Sequence, residues 1–169
     1  LFLQNFTTTG DSLWYADSGS SDSTARLLGI NKINLLEGNN FLDLTSTTTS
    51  LASEKIDVTS GSGNDVLWLS DADETIDSGA GDDQITLNGG SDNLKTGIGK
   101  DIITLSNYKG TLIIQDFDTT KDKLNFKASS NKVSANGNKI TMQNSLGDYV
   151  ITLTNNPDLS DLSAFSTFV

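Results

Sequence analysis

Asp65, Asp83 and Asp101 stand 18 residues apart, and each closes the same phrase: Gly61-Ser62-Gly63-Asn64-Asp65, Gly79-Ala80-Gly81-Asp82-Asp83 and Gly97-Ile98-Gly99-Lys100-Asp101. A short carboxylate that recurs at fixed spacing behind two glycines is suited to binding cations. Stacked about 5 Å apart, unpaired carboxylates repel one another and resist ionisation, so a cation is needed between them. Ca²⁺ fits best, because it takes roughly six to eight oxygens at about 2.3–2.6 Å from carboxylates and backbone carbonyls alike. The chain has 19 Asp and only 3 Glu, which favours short ligands on tight turns. Zinc and copper prefer His or Cys, and the sequence has neither. Mg²⁺ fits less well, since it tends to keep its waters.

The elements that must position these groups are visible as a ladder. Val58, Leu67, Ile76, Ile85, Leu94, Ile103 and Leu112 follow one another at intervals of nine. A short fixed period of this kind indicates a solenoid. Each nonamer reads as a glycine-rich turn followed by a short strand, with glycine where the backbone needs positive φ. Two nonamers make one coil of 18, with strands on opposite faces and turns on the two edges. Coils then stack at the β spacing of roughly 4.8 Å. The ladder residues face inward, because side chains alternate across a strand. Inward pairs are expected at 67/69, 85/87 and 103/105, which leaves Trp68, Thr86 and Thr104 outward.

The phrase is similar to the Gly-Gly-x-Gly-x-Asp-x-hydrophobic-x repeat of RTX-type (hemolysin-type) calcium-binding β-rolls in proteins exported by bacterial type I secretion. Ser60, Ser78 and Thr96 replace the first glycine, while the later glycines and the Asp match. The intervening half-coils depart further. Leu69–Asp77 has Ala72 for the third glycine and Glu74 for the Asp, Leu87–Lys95 keeps Gly90 and Asp92, and Leu105–Ile113 has Gly110 where the Asp belongs. The resemblance implies an all-β fold: a right-handed parallel β-roll solenoid with a β-rich C-terminal cap. It implies about two to four Ca²⁺ ions. One edge would hold them between Asp65 and Asp83 and between Asp83 and Asp101, with Gly61, Gly63, Gly79, Gly81, Gly97 and Gly99 in the turns. The other edge would use Glu74, Gly90 and Asp92. The segment Asp116-Phe117-Asp118 followed by Asp122, Leu124 and Phe126 resembles the serralysin-like closure of such rolls. Phe117, Leu124 and Phe126 are its expected plug, and Asp116, Asp118 and Asp122 either hold a further ion or solvate the turn.

Composition agrees. Net charge is −11 and the pI about 4.1, which argues against nucleic acid, a partner that requires a basic surface. Zero Cys means no disulfide staple, and Ca²⁺ is read as the staple instead. No apolar run approaches the roughly 20 residues of a membrane span. Neither a signal peptide nor an initiator Met is present, so Leu1 is read as the start of an excised domain or mature fragment.

Three regions are expected. Residues 1–55 form an irregular β-rich section that includes a linker-like stretch at 17–24 and a lone Arg26. Its pairs Ile33/Leu35 and Leu42/Leu44 either continue the solenoid, with an insertion around 46–53, or form a hairpin packed on it. Residues 56–113 are the calcium-binding roll. Residues 114–169 are the cap, with a hairpin at 133–142 turning on Asn136-Gly137, a strand at 149–153, and a tail from Pro157. That tail resembles an uncleaved export signal, and equally suits a final strand or helix docked on the cap. Trp68 is expected to be covered by the N-terminal segment; an exposed Trp68 would suit a sugar ligand.

The glycine phrases resemble dinucleotide loops only superficially, lacking a third glycine and a following helix. An EF-hand reading of Asp71-Ala72-Asp73 fails at Ile76, where that loop needs Gly. Without His or Cys, the common acid–base and nucleophile arrangements are absent, and no enzyme is expected. The resemblance thus implies a secreted or cell-surface domain that folds on Ca²⁺ and depends on a type I secretion apparatus. Two alternatives are a self-assembling surface-layer or adhesin module and an accessory module for cell-surface glycan.

Overall fold

The computed structural model describes residues 12–14, 32–45, 55–106, 109–126, 132–144, 147–155 and 157–168. The strands alternate between two sheets along most of the chain. One sheet runs β1 (Ser12–Trp14), β3 (Phe41–Asp43), β5 (Val66–Trp68), β7 (Gln84–Leu87), β9 (Ile102–Leu105), β11 (Lys123–Phe126) and β15 (Ser166–Phe168), every neighbour parallel. The other contains β2 (Lys32–Asn34), β4 (Lys55–Thr59), β6 (Asp73–Asp77), β8 (Gly90–Lys95), β10 (Gly110–Ile114) and β14 (Gly147–Leu153), also parallel. Two antiparallel strands extend it, β13 (Lys139–Asn144) beside β14 and β12 (Lys132–Asn136) outside β13. Strands that alternate between two parallel sheets make a parallel β-roll, and among the described residues there is no α-helix.

The ladder forms the core. Val58, Ile76 and Leu94 stack in one sheet and Leu67, Ile85 and Ile103 in the other, all at most 1% exposed. The second inward residues Leu69, Leu87 and Leu105 are buried too. Period-2 alternation therefore sends both side chains of each short strand between the sheets.

The ladder slips at its end. Leu112 lies opposite Asp92, and Ile114 takes the place opposite Leu94. The coil has two extra residues, so Gly110 aligns with Gly90 rather than with an Asp position. A shift of two preserves facing, so Leu112 and Ile114 both remain buried.

Of the two arrangements open for residues 33–44, the structure has the solenoid. Ile33 stands against Val58 and Leu42 against Leu67, in parallel. The offset here is 25 residues rather than 18. The insertion expected around 46–53 lies outside the described residues, as do the linker-like stretch at 17–24 and Arg26.

An open solenoid end exposes core and unpaired strand edges. Here Phe117, Leu124 and Phe126 are fully buried over the last coil, with Phe165 edge-on to Phe117 at 5.6 Å between ring centres. The hairpin turns one residue later than expected: Asn136 pairs with Lys139 around Gly137-Asn138. Gly137 has φ of 58° while Asn138 does not share the positive φ of an Asn-Gly type I′ turn. After Pro157 the chain makes a short 3-10 turn at Leu162–Ala164 and ends in β15, docked on β11. Trp68 departs from expectation: it is 41% exposed, flanked by Phe41 edge-on at 5.0 Å.

Candidate metal centre

Strand pairing at the 18-residue offset brings the repeat carboxylates into a column on one edge of the roll. The backbone N–H of each residue donates to the carboxylate one coil on: Asp65 to Asp83 Oδ1 at 2.8 Å and Asp83 to Asp101 Oδ1 at 2.9 Å. The column is longer than the repeat. Among the described residues it runs from Asn40, whose N–H donates to Asp65 Oδ1 at 2.7 Å, to Asp122, whose Oδ1 accepts from Asp101 N at 3.1 Å. Asp122 is fixed in turn by the Asp118 N–H on its second oxygen, at 2.8 Å. Asp118 itself accepts from Thr120 and pairs with Lys121 at the surface.

These carboxylates are enclosed. Asp65, Asp83, Asp101 and Asp122 are at most 2% exposed. One oxygen of each repeat Asp is satisfied by an N–H, but Oδ2 of Asp65, Asp83 and Asp101 bonds nothing. A buried charged oxygen without a partner is costly. Burial is the main cause that pushes the Asp83 carboxyl up to about 7 and Asp101 up to about 6, with neighbouring carboxylates adding to it. Asp65 and Asp122 are raised for the same first reason.

The predicted glycines line this edge. Gly79 and Gly97 have φ near +90°, and a Cβ there would lie 1.7 Å from the carbonyl oxygen of Gly61 and of Gly79, respectively. At Gly81 and Gly99 it would meet the carbonyls of Gly63 and Gly81 at 2.1 and 1.8 Å. Only glycine lets successive turns approach so closely, and the approach sets carbonyl oxygens at each turn beside the Asp column. Among the described residues no three acidic side chains converge on one point. A cation here would therefore take two carboxylates from adjacent coils and complete its shell with carbonyls, the donor set that suits Ca²⁺. The unbonded Oδ2 atoms show that the residues present fit such an ion.

Among the described residues the opposite edge has a single pair. Glu74 N donates to Asp92 Oδ1 at 3.0 Å, and Ser70 holds Glu74 Oε1 through its N–H at 3.1 Å and through its hydroxyl. Glu74 Oε2 and Asp92 Oδ2 are buried and unbonded, and burial raises both carboxyls. Gly90 packs on the Ala72 carbonyl, which a Cβ would approach to 1.8 Å. This column stops at once, because Ile56 pairs with Glu74 below and Leu112 with Asp92 above.

The family model of the RTX calcium-binding nonapeptide repeat, which comprises four copies of the repeat, matches residues 57–85 and 68–103. Residues 57–103 are RTX calcium-binding repeats. The RTX stretch thus coincides with the coils that carry both carboxylate columns. No curated protein matches the chain in sequence.

Sequence reasoning missed two further ladders of the RTX coils. The side chains preceding the column residues cap the next coil: Asn39 Oδ1 accepts from Asn64 N at 2.7 Å, Asn64 Oδ1 from Asp82 N at 2.9 Å, and Asp82 Oδ1 from Lys100 N at 2.9 Å. The hydroxyls that replace the first glycine are used as well. Ser60 Oγ donates to Ser78 O at 2.7 Å and Ser78 Oγ to Thr96 O at 2.8 Å. Asp116 then closes that series, accepting from Thr96 N at 2.8 Å and Gly97 N at 3.0 Å. The signal for both was present at 18-residue spacing, as a polar side chain beside each repeat Asp and a hydroxyl before each glycine.

Proposed function

We propose that this chain is a calcium-responsive folding domain of a secreted bacterial protein, kept unfolded before export and folded by Ca²⁺ outside the cell. The observation that carries the reading is the set of enclosed carboxylate oxygens without partners on both edges of the RTX coils. Without cations each coil adds repulsion to the one before it. With them, binding favours the folded state alone, and each site at tenfold over its dissociation constant contributes about 1.4 kcal/mol. An unfolded, acidic chain suits passage through the channel of a type I secretion apparatus, with the tail after Pro157 as its export signal. The absence of His and Cys from the sequence supports a non-catalytic role.

The test is far-UV circular dichroism of the EGTA-treated chain during Ca²⁺ titration. A coil-like spectrum is expected to become β-rich. Asp83→Ala and Asp101→Ala each border two intervals of the column and should raise the Ca²⁺ midpoint more than Asp65→Ala. A chelated protein as β-structured and compact as the loaded one would overturn the reading.

A second reading, calcium-dependent assembly at a cell surface, is favoured by one face. The outward residues of β5, β7 and β9 are Val66, Trp68, Gln84, Thr86, Ile102 and Thr104, an uncharged patch in a chain of net charge −11. Light scattering in millimolar Ca²⁺ separates the two, since a monomer there excludes assembly.

A further inference from the structure

Among the described residues, the first rung of the Asp column is built from the same parts as the others but closed by a different atom. Asn40 stands where the repeat has Asp, 5% exposed, and its backbone N–H makes the column's hydrogen bond to Asp65. Its side-chain nitrogen faces four oxygens: Gly38 O at 2.7 Å, Asp65 Oδ1 at 3.1 Å, Ser60 O at 3.3 Å and Leu36 O at 3.4 Å. An amide nitrogen has only two protons to donate. Four oxygens around one centre form the kind of shell that a hard cation takes.

The repeat carries this shell onward. Gly61 packs on the Leu36 carbonyl as Gly79 packs on that of Gly61, and Gly63 packs on Gly38 as Gly81 packs on Gly63. Leu36 even adopts the left-handed φ of 63° that glycine supplies in the later coils. One coil on, the corresponding oxygens are those of Gly61, Gly63, Ser78 and Asp83. The atom matching the Asn40 nitrogen is then Asp65 Oδ2, which bonds nothing. An NH₂ surrounded by oxygens is satisfied, whereas an oxygen surrounded by oxygens needs a cation between them.

We propose that the Asn40 amide takes the cation's place at the first rung, so that this rung closes without metal and the metal-dependent part of the column begins at Asp65. The inference rests on the reading that cations sit between the coils of this column. Its consequence is a rung that needs no ion of its own, on which the calcium-dependent coils stack.

The experiment counts Ca²⁺ bound per chain by calorimetry and equilibrium dialysis, and measures the Ca²⁺ midpoint of folding by circular dichroism and the urea midpoint in saturating Ca²⁺, for the full chain and two variants. Asn40→Asp restores the repeat's carboxylate. It is expected to bind one more ion than the unaltered chain and to need a higher Ca²⁺ concentration to fold. Asn40→Ala is expected to bind the same number of ions as the unaltered chain, with a lower urea midpoint in saturating Ca²⁺. The proposal is overturned if Asn40→Asp gains no ion, or if Asn40→Ala loses one, which would make Asn40 a ligand. An unaltered chain that binds no Ca²⁺ would instead overturn the calcium reading, and this inference with it.

Discussion

Asp83 accepts the Asp65 N–H at 2.8 Å through one oxygen, while its other oxygen, equally enclosed, bonds nothing. In the absence of metal such a group is most readily accommodated as the neutral acid. With the Asp83 carboxyl raised to about 7 and Asp101 to about 6, the folded state holds protons that the unfolded chain releases near pH 4. Stability falls with pH wherever the folded state binds more protons. In EGTA, this contribution is therefore complete below about pH 4 and is lost as pH rises through about 6 to 7. The β-structure retained in chelator, read by circular dichroism, should decline from pH 4.5 to pH 8. In saturating Ca²⁺ the cation replaces the protons, so Ca²⁺ affinity should rise over the same interval. Chelated stability that is flat or rising with pH would contradict the assignment of these carboxylates.

The elements are too short to stand alone: most roll strands have three to six residues, and a short strand without neighbours is not stable in water. What joins them is the turn between, where each coil's glycine seats on the carbonyl of the coil before. Gly79→Ala tests that seat, since its Cβ would meet the Gly61 oxygen at 1.7 Å and its φ of +91° disfavours any side chain. The expected loss is upward of about 2 kcal/mol, read as a lower Tm in saturating Ca²⁺. Gly137→Ala is the control, because no atom lies within 4 Å of a Cβ there although φ is also positive. The hydroxyl series Ser60, Ser78 and Thr96 explains why the first repeat glycine is dispensable in these coils: a side chain at that position bonds the next coil instead of colliding with it.

At the scale of the molecule, both sheets are finished by segments that return from beyond the repeats. β14 joins β10 after the hairpin, and β15 joins β11 after the 3-10 turn. The last coil is thereby paired in both sheets and its apolar end is covered by Phe117, Phe126, Tyr149 and Phe165. Phe117→Ala should cost about 3–5 kcal/mol, as a fully enclosed aromatic leaving a cavity does. The loss should appear in urea melts of the calcium-loaded protein, with the number of bound ions unchanged because Phe117 lies off both columns. A cost near zero would mean that the end is closed by other contacts.

The sequence by itself determined the repeat, the two sheets' inward residues and the main acidic column, because a solenoid converts sequence period directly into spatial register. Val58, Ile76 and Leu94 face inward for the same reason that they are spaced by 18, and Asp65, Asp83 and Asp101 stack for it too. Tertiary structure decided what happens where the period breaks. Two extra residues set Leu112 against Asp92 and ended the second column, three extra residues brought Asp122 over Asp101, and seven extra residues placed Asn40 under Asp65. Spacing alone does not reveal which residue lands on a column after a loop of altered length. Strand pairing settles it, because each coil adopts the register that keeps its apolar side chains between the sheets.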